Sequence, residues 1–502
     1  MEPKLKYPKG FIGPSYASRN ALFDCQRTIN MYVELDQSEI EGIPGTGNNQ
    51  EMMTLMSFPG LSLITSVGTG SIRGIYTDST GKTLWFVVGN QLYAIQNTIT
   101  STPILIGTLN VGSTNFVSMA DNGTSLFLVD GLYGYYTPIV IPTVPVLTVV
   151  NDPNFYPADF VCFQDGYFVF NKTGTAYFFT SQLYSTTMQT LNEENKSGYA
   201  DTIKAIIINN RELFLLGTKT LEIWWDSGAS QYAPFSREDG KFAEIGCVAA
   251  GSVQKINNTF IFLGTDSSGG TKVYMMMNDM PNPVSTPAVE YALSKSTDLS
   301  SATAYTWHNE NHYFYAITAP GMDTTLVFDT FTELWVDQQS NINGTVGRHI
   351  AQWHAYFNGK HIIGDYSTNN LYYYDFNNYT DNGNPLIRTR ISPVITNNMM
   401  RTFYQTLQLI VNTGTGSGQL QNYYKNSTQN MQNPRVFLQM SKDGGYTYSQ
   451  PISANLGSMG NYQRVRWLRL GMADMAVFKI SCADPVYFNI VSAALQMQAG
   501  NS

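Results

Sequence analysis

The chain has 502 residues, of which 43% are hydrophobic and only 13% are charged, and its formal net charge is −8. This length exceeds that of a typical single domain, and the apolar content is enough for buried cores, so a wholly disordered chain is excluded. The negative charge argues against a general nucleic-acid binder. The low charged fraction indicates a surface of neutral amides and hydroxyls, which cost less to bury in an assembly than ions do.

The first 61 residues are interrupted by Pro and Gly and are predicted to form an N-terminal arm or platform, or part of another domain. Residues 41–49 are predicted to be an exposed loop. No apolar stretch follows the lysines of residues 1–7, so no signal peptide is predicted. No run of about 18 apolar residues occurs, which predicts no membrane span. The cysteines form no CxxC pair and indicate free thiols, as in a reducing compartment: Cys25, Cys162, Cys247 and Cys482.

Residues 62–385 repeat one pattern seven times: an apolar run, a Gly-containing or polar turn, and a second aromatic-rich run. The first runs begin at Leu84, Leu126, Tyr167, Leu213, Phe260, Tyr313 and His361. Spacings of 41 to 53 residues are typical of β-propeller blades. An all-β propeller of six or seven blades is therefore predicted, with a long β-sandwich or two stacked barrels as the alternative. Two short helices are predicted, at residues 187–194 and 288–294.

Residues 386–502 differ from the rest of the chain in charge. They contain ten basic and three acidic residues, a net charge of +7, whereas residues 1–385 carry a net charge of −15. Strands predicted at residues 403–411, 436–440, 464–470 and 478–482 indicate a basic C-terminal β-sandwich.

One of these strands, with the sequence RVRWLRL, alternates between charged and apolar residues. The alternation predicts that Arg464 and Arg466 share one face while Val465 and Trp467 face the other. We hypothesise that the two arginines contact an acidic surface of a neighbouring subunit or of an adaptor protein. The alternative is a solvated strand face.

Candidate chemical sites are few. His308, Glu310 and His312 alternate, so on a single strand they would share one face and could bind a divalent metal, although a solvated strand edge is favoured. Residues 441–448, SKDGGYTY, resemble the Asp-box of sialidases, in which the aspartate (here Asp443) stabilises a hairpin turn. Nucleophile elbow, P-loop and dinucleotide motifs are absent from the sequence. The sequence therefore predicts no catalytic, cofactor-binding or metal-binding residues and no enzymatic activity.

Several short motifs occur in an order that resembles one known family. They include NMYVE from Asn30, SFPGL from Ser57, IRGIY from Ile72, TLEIWWDSG from Thr220, VSTPAVE from Val284, YTDNG from Tyr379 and RVRWLRLG from Arg464. In this order they resemble the tail-hub or nozzle proteins of short-tailed bacteriophages (podoviruses), the packaged DNA stabilisation or tail accessory factor family.

The resemblance implies a structural virion protein in the phage tail, made in the bacterial cytoplasm. Such subunits form a homo-oligomeric ring, expected to be a hexamer, that extends the channel of the portal and its adaptor. The ring helps to retain packaged DNA, which passes through the lumen without specific binding, and it mounts receptor-binding fibres, spikes or a tail needle. The alternative function is that of a β-propeller glycosidase, sialidase-like or glycan-binding protein, suggested by the Asp-box.

Overall fold

The computed structural model describes residues 4–6, 10–35, 53–113, 116–196, 198–199, 201–228, 234–397, 400–413, 434–456 and 463–500. The loop predicted at residues 41–49 lies outside this range. Within it, nearly all regular structure is β-strand, as the composition predicts.

Residues 60–375 form seven antiparallel sheets arranged as the blades of a β-propeller, and the innermost strands of neighbouring blades pack against each other around a closed ring. Blade 1 contains the strands Ile72–Thr77, Thr83–Val88, Gln91–Gln96 and Ile104–Thr108. Blade 2 contains Ser118–Asp121, Ser125–Val129, Gly134–Pro138 and Thr148–Val149. Blade 3 contains Val161–Gln164, Tyr167–Asn171, Tyr177–Ser181 and Met188–Asn195.

The remaining blades follow the same order from the axis outwards. Blade 4 contains Ile203–Asn209, Glu212–Gly217, Leu221–Asp226 and Phe235–Ala243. Blade 5 contains Ile245–Cys247 with Gln254–Ile256, followed by Thr259–Asp266, Thr271–Met277 and Met280–Pro283. Blade 6 contains Thr303–Asn309, His312–Thr318, Thr325–Asp329 and Leu334–Ile342, which is extended by the hairpin strand Thr345–Arg348. Blade 7 begins with Ala351–Phe357, Lys360–Asp365 and Asn370–Asp375.

The seven apolar runs predicted from the sequence are the second strands of the seven blades, which fixes the blade number at seven. Of the two predicted helices, one is observed as Pro287–Leu293, which starts with the N-cap Thr286 and a proline in its first turn. The helix predicted at residues 187–194 is wrong. These residues form the outer strand of blade 3, because pairing with Tyr177–Ser181 outweighs the weak local helix preference.

The fourth strand of blade 7 comes from the other end of the chain. Gly60–Ser66, here called the clasp strand, pairs antiparallel with Asn370–Asp375 and so closes the ring. The short strand Thr380–Asp381, which forms a hairpin with Asn384–Pro385, adds to its other side in parallel orientation. A Cβ atom at Gly60 would lie 2.3 Å from the carbonyl oxygen of Thr380, so this close approach requires glycine.

The described residues before residue 62 do not form a separate arm but belong largely to another domain, which agrees with the alternative prediction. The predicted boundary at residue 61 falls inside the clasp strand, and the preceding strands belong to the C-terminal sandwich. One sheet of the sandwich contains Lys4–Lys6, Met31–Leu35, Met53–Ser57, Thr402–Asn412, Gln463–Ala473 and Asn489–Ala499. The other contains Tyr16–Ala17, Cys25–Ile29, Arg388–Ile391, Ile395–Thr396, Arg435–Ser441, Ile452–Asn455 and Met475–Cys482. The sequence did not reveal this association because the pairing strands are more than 300 residues apart.

Two short strands connect the propeller to the sandwich without interrupting the sheet. Cys25–Ile29, here called the bridging strand, pairs on one side with the outer strand of blade 6 and on the other with Arg388–Ile391, the linker strand. Asn30, at a φ of 58°, strengthens this junction. Its amide nitrogen donates to the carbonyl oxygens of Gln339 and Ile387, each at 2.9 Å, and its Oδ1 accepts from the Gln339 N–H. Propeller and sandwich therefore share one continuous sheet.

Arg390 of the linker strand lies inside the sandwich and is fully buried. Its guanidinium donates to the carbonyl oxygens of Phe11, Gly10 and Pro14 at 2.6 to 2.8 Å. Burial lowers the pKa of this arginine to about 9. The loop at residues 10–14 is thus fixed to the linker strand by hydrogen bonds to a buried cation.

The clasp strand offers a matched pair of leucines for testing ring closure. Leu61 is fully buried between blades 6 and 7, whereas Leu63 on the same strand is 44% exposed. We expect Leu61→Ala to lower the free energy of unfolding by about 2–5 kcal/mol, because it removes buried methyl groups and leaves a cavity. Leu63→Ala should change it by less than about 1 kcal/mol. Urea unfolding measures both, and equal effects would show that the strand does not close the core.

Candidate assembly surface and buried polar sites

The outermost strand of the first sandwich sheet presents a basic edge. Gln463–Ala473, here called the edge strand, pairs on one side with Thr402–Asn412 and is the last strand of its sheet. Arg464 and Arg466 are exposed, whereas Val465 and Trp467 are buried, which confirms the predicted alternation. The Trp467 indole donates a 3.0 Å hydrogen bond to the carbonyl oxygen of Ile452, which anchors the strand.

Apolar side chains accompany these arginines on the outward face of the sheet. Leu468 is 64% exposed and Phe403, on the neighbouring strand, is 44% exposed. Arg469 lies beside them at a strand irregularity, with a φ of 58°. A surface that combines exposed arginine with large apolar side chains has the composition of a protein interface.

Aromatic side chains cross the axis of the propeller. The Phe116 ring lies 6.1 Å from that of Trp353 in blade 7 and 5.0 Å from that of Phe160 at the start of blade 3. Blades 3 and 7 stand nearly opposite each other in the ring, so these three rings, here called the aromatic bridge, span its central opening. A cavity of about 490 Å³ lies beside the bridge and is lined by residues from all seven blades. No local sequence pattern indicates this bridge, because its three residues come from separate parts of the propeller.

The predicted grouping of His308, Glu310 and His312 is wrong. Glu310 lies in a two-residue turn, at a φ of 53°, so the three residues are not on one strand. His312 is buried and its Nδ1 and Nε2 lie 2.7 and 2.9 Å from carboxylate oxygens of Asp329 and Glu34. These contacts raise the pKa of His312 against the opposing effect of burial. The site joins blade 6 to the sandwich strand that carries Glu34.

His308 instead approaches two histidines of blade 7. Its ring lies 4.6 Å from that of His361, and Nδ1 of His361 lies 2.9 Å from Nε2 of His354. Burial, together with the neighbouring imidazoles, lowers the pKa of His354 well below its usual value and that of His361 to about 4. The pair is therefore held neutral at the junction between blades 6 and 7.

The turn that resembles an Asp-box has a structural role. Asp443 accepts hydrogen bonds from the backbone N–H groups of Tyr446 and Thr447 at 3.0 and 2.9 Å and from the Ser441 hydroxyl at 2.6 Å. Hydrogen bonding from Ser441, then from Thr447, holds the pKa of Asp443 below its usual range. The Asp443 carboxylate stabilises the hairpin turn through these hydrogen bonds. This turn therefore does not support the alternative prediction of a glycosidase.

A buried ion cluster lies between blades 3 and 4. The Lys196 ammonium contacts Asp201, the Thr220 hydroxyl and, at 3.7 Å, Glu222, and all three charged side chains are almost completely buried. Glu222 also accepts from the Trp224 indole at 3.2 Å. Two carboxylates and one ammonium in a dry interior depend on each other for solvation.

No group of three or more His, Cys, Asp or Glu residues in the described part of the chain is arranged to hold a metal ion. Among the same residues, no helix is long and apolar enough to span a membrane.

Family comparisons agree with this architecture. A family described as bacteriophage P22 Gp10, beta-propeller, matches residues 39–379, and one described as bacteriophage P22 Gp10, beta-sandwich, matches residues 387–498. The chain belongs to the bacteriophage P22 Gp10 family. It is therefore a structural protein of a phage tail, with a propeller and a sandwich as the sequence predicted. No curated protein matches the chain.

Several solved structures are distantly similar to this member of the Gp10 family. A streptogramin B lyase has 8% sequence identity and a TM-score of 0.41, covering 70% of this chain and 98% of its own. YCF48 from Cyanidioschyzon merolae has 8% identity and a TM-score of 0.40, with coverages of 63% and 98%. The WD40 propeller of Doa1 has 12% identity and a TM-score of 0.36, with coverages of 63% and 97%. These distant similarities say nothing about function.

The neutral histidine pair makes stability depend on pH. Between pH 6.5 and 4 the unfolded chain binds a proton at His361 that the folded protein does not, so each unit of acidification favours unfolding by up to about 1.4 kcal/mol. The variant His361→Gln lacks this titration. We therefore expect the stability advantage of the wild type over His361→Gln to be largest above pH 6.5 and to shrink towards pH 4. Urea unfolding at each pH measures this advantage. A difference that stays constant with pH would contradict the assignment.

The ion cluster predicts a large effect of a single substitution. Lys196→Met should lower the free energy of unfolding by about 3–5 kcal/mol, because it leaves two buried carboxylates without their cation. Arg211→Gln is the control, since Arg211 is paired with Asp165 on the surface, where ion pairs contribute about 0–1 kcal/mol. Thermal or urea unfolding compares them, and a Lys196→Met protein as stable as the control would contradict this account.

Proposed function

We propose that this protein is a hub or nozzle subunit of a short phage tail, which assembles as a homo-oligomeric ring below the portal and its adaptor. The ring extends the DNA channel, helps to retain packaged DNA, and mounts receptor-binding fibres, spikes or a needle for DNA ejection. A sixfold ring is proposed from the family resemblance. Family membership supports the assignment to a phage tail, and three features of the molecule support its assembly into a ring of subunits.

The aromatic bridge is the observation that carries the proposal. The centre of the Phe116 side-chain ring lies 5.0 Å from that of Phe160 and 6.1 Å from that of Trp353, so the three side chains span the central opening of the propeller. A DNA duplex is far wider than this opening, since its major groove alone measures about 12 Å. The propeller axis therefore cannot serve as the DNA channel. A channel built from this protein must run between several copies, with each propeller forming part of its wall.

The continuous sheet between blade 6 and the sandwich supports a ring of defined diameter. The bridging strand pairs with both domains, and the partly buried ion pair between Arg27 and Asp337, with N and O atoms 2.8 Å apart, lies at the same junction. Backbone pairing of this kind resists bending between the two domains. A subunit with a fixed angle between its domains is suited to closing a ring, because small angular errors accumulate around it.

The unequal charge of the two parts of the chain supports both the contact between subunits and a lumen that does not bind DNA. Residues 1–385 carry −15 and residues 386–502 carry +7. An acidic propeller facing the lumen would repel DNA phosphates and allow the duplex to slide. The basic edge strand, with Arg464 and Arg466 exposed, would be attracted to the acidic propeller of the next copy or to an acidic face of the adaptor.

Replacing the two exposed arginines tests the contact between subunits. We expect Arg464→Gln with Arg466→Gln to slow association by roughly tenfold at low salt, and the difference from wild type to disappear at high salt, since screening removes the electrostatic attraction. Sedimentation velocity and light scattering measure assembly across a salt series.

The control is Arg435→Gln with Lys442→Gln, which removes the same charge from exposed positions elsewhere on the sandwich. Thermal melting verifies that both double variants remain folded. If the Arg464 and Arg466 variant assembled like the control at every salt concentration, these arginines would have no part in the interface.

A further inference from the structure

A groove lies where the propeller meets the sandwich. It has a volume of about 270 Å³ and runs between two walls. One wall is the hairpin of Leu334–Ile342 and Thr345–Arg348 in blade 6. The other is the outward face of the sheet formed by the bridging strand, the linker strand, Met475–Cys482 and Arg435–Ser441. The groove thus belongs to both domains.

Strand register places two cations side by side on the sheet wall. Arg27 lies opposite Ile391, Ile391 lies opposite Lys479, and Lys479 lies opposite Gln439. Residues directly opposite in antiparallel strands project from the same face, and all four line the groove. Two strand spacings separate Arg27 from Lys479, which puts their Cα atoms about 10 Å apart and allows both long side chains to reach one small group between them.

Both cations have unused hydrogen-bond donors. Arg27 donates from Nε to Asp337 at 2.8 Å, and among the described residues its two terminal nitrogens have no partner. Lys479 makes no ion pair or hydrogen bond with any described side chain, and its Nζ lies 5.5 Å from the centre of the Tyr448 ring. Asp337 and Asp323 are the acidic groups that act on Arg27. None of the described acidic groups balances Lys479.

The positive charges of Arg27 and Lys479 repel each other. Burial, followed by the positive charge of Arg27, lowers the pKa of Lys479. An anion between the two cations would relieve both effects, because it supplies the missing counter-charge and accepts the unused N–H groups. The groove is large enough to admit a side chain that carries a carboxylate.

We propose that this groove binds one carboxylate group, held between Lys479 and the terminal nitrogens of Arg27. In the assembled tail the carboxylate is an acidic side chain of a neighbouring copy, a source that rests on the proposed function. The charge of −15 on residues 1–385 makes such side chains abundant on the partner surface. DNA phosphate is disfavoured as the ligand because the whole chain carries −8 and repels a polyanion.

Competitive acylation of lysines, measured residue by residue with mass spectrometry, tests the site in the wild-type protein. The rate at Lys479 is compared with that at Lys442, an exposed lysine of the same domain that serves as the internal control. Dilute, unassembled protein is labelled in sodium chloride, sodium formate or inorganic phosphate at equal ionic strength, and with a short DNA duplex. Formate should slow labelling at Lys479 by about fivefold, with no change at Lys442.

In a second experiment the protein is labelled in sodium chloride after assembly, and sedimentation measures ring formation independently. Protection of Lys479 on assembly without formate identifies the ligand as a carboxylate of a neighbouring copy. Protection by formate without protection on assembly keeps the site but assigns it to a free carboxylate. Equal labelling in chloride and formate, or protection by DNA or phosphate alone, would overturn the proposal. Failure of the protein to assemble would count against the proposed function and leave the formate result to decide the site.

Discussion

Closure of the ring by the clasp strand is the constraint on which the rest of the structure depends. Each blade buries its faces only against its neighbours, so an open ring would expose two apolar faces. Gly60–Ser66 completes blade 7 by pairing with Asn370–Asp375, about 300 residues later in the chain. The N-terminal segment must therefore be in place before the propeller becomes stable, and such long-range pairing predicts slow folding.

The same N-terminal segment determines how the two domains are joined. From residue 25 onwards it supplies the bridging strand, two strands of the first sandwich sheet and then the clasp strand, so it contacts blade 6, the sandwich and blade 7 in succession. Asn30 lies directly after the bridging strand, and its side chain forms hydrogen bonds with the backbone of both domains. Propeller and sandwich are thus fixed to each other by shared backbone pairing. The groove with Arg27 and Lys479 exists because this joint brings two surfaces together.

The sequence was sufficient for the features that depend on local pattern. Apolar runs such as those at Leu84 and Leu126 recur at blade spacing and became second strands, and the alternation around Arg464 placed each side chain on the correct face. Asp165-Gly166 and Asn358-Gly359, dipeptides that favour tight hairpins, adopt the positive φ angles that such turns require.

Features that depend on distant pairing could not be predicted. The outer strand at Met188–Asn195 looked helical because its polar sequence carries no strand signal without its partner. His308 and His312 looked like one strand face because a turn formed by Glu310 and Asn311 has no glycine to mark it. Arg390 and Lys479 read as ordinary basic residues, and only the fold shows that one is buried among carbonyl oxygens and the other lies in a groove.

In the proposed function, DNA passes between copies of this subunit and not through its propeller. Electron cryomicroscopy of phage particles that carry the protein can test this, since the seven-bladed propellers are recognisable in the density. We expect a ring of subunits below the portal, with every propeller axis displaced from the DNA channel and the aromatic bridge intact. A single propeller coaxial with the channel, or no density for the protein in the tail, would contradict it.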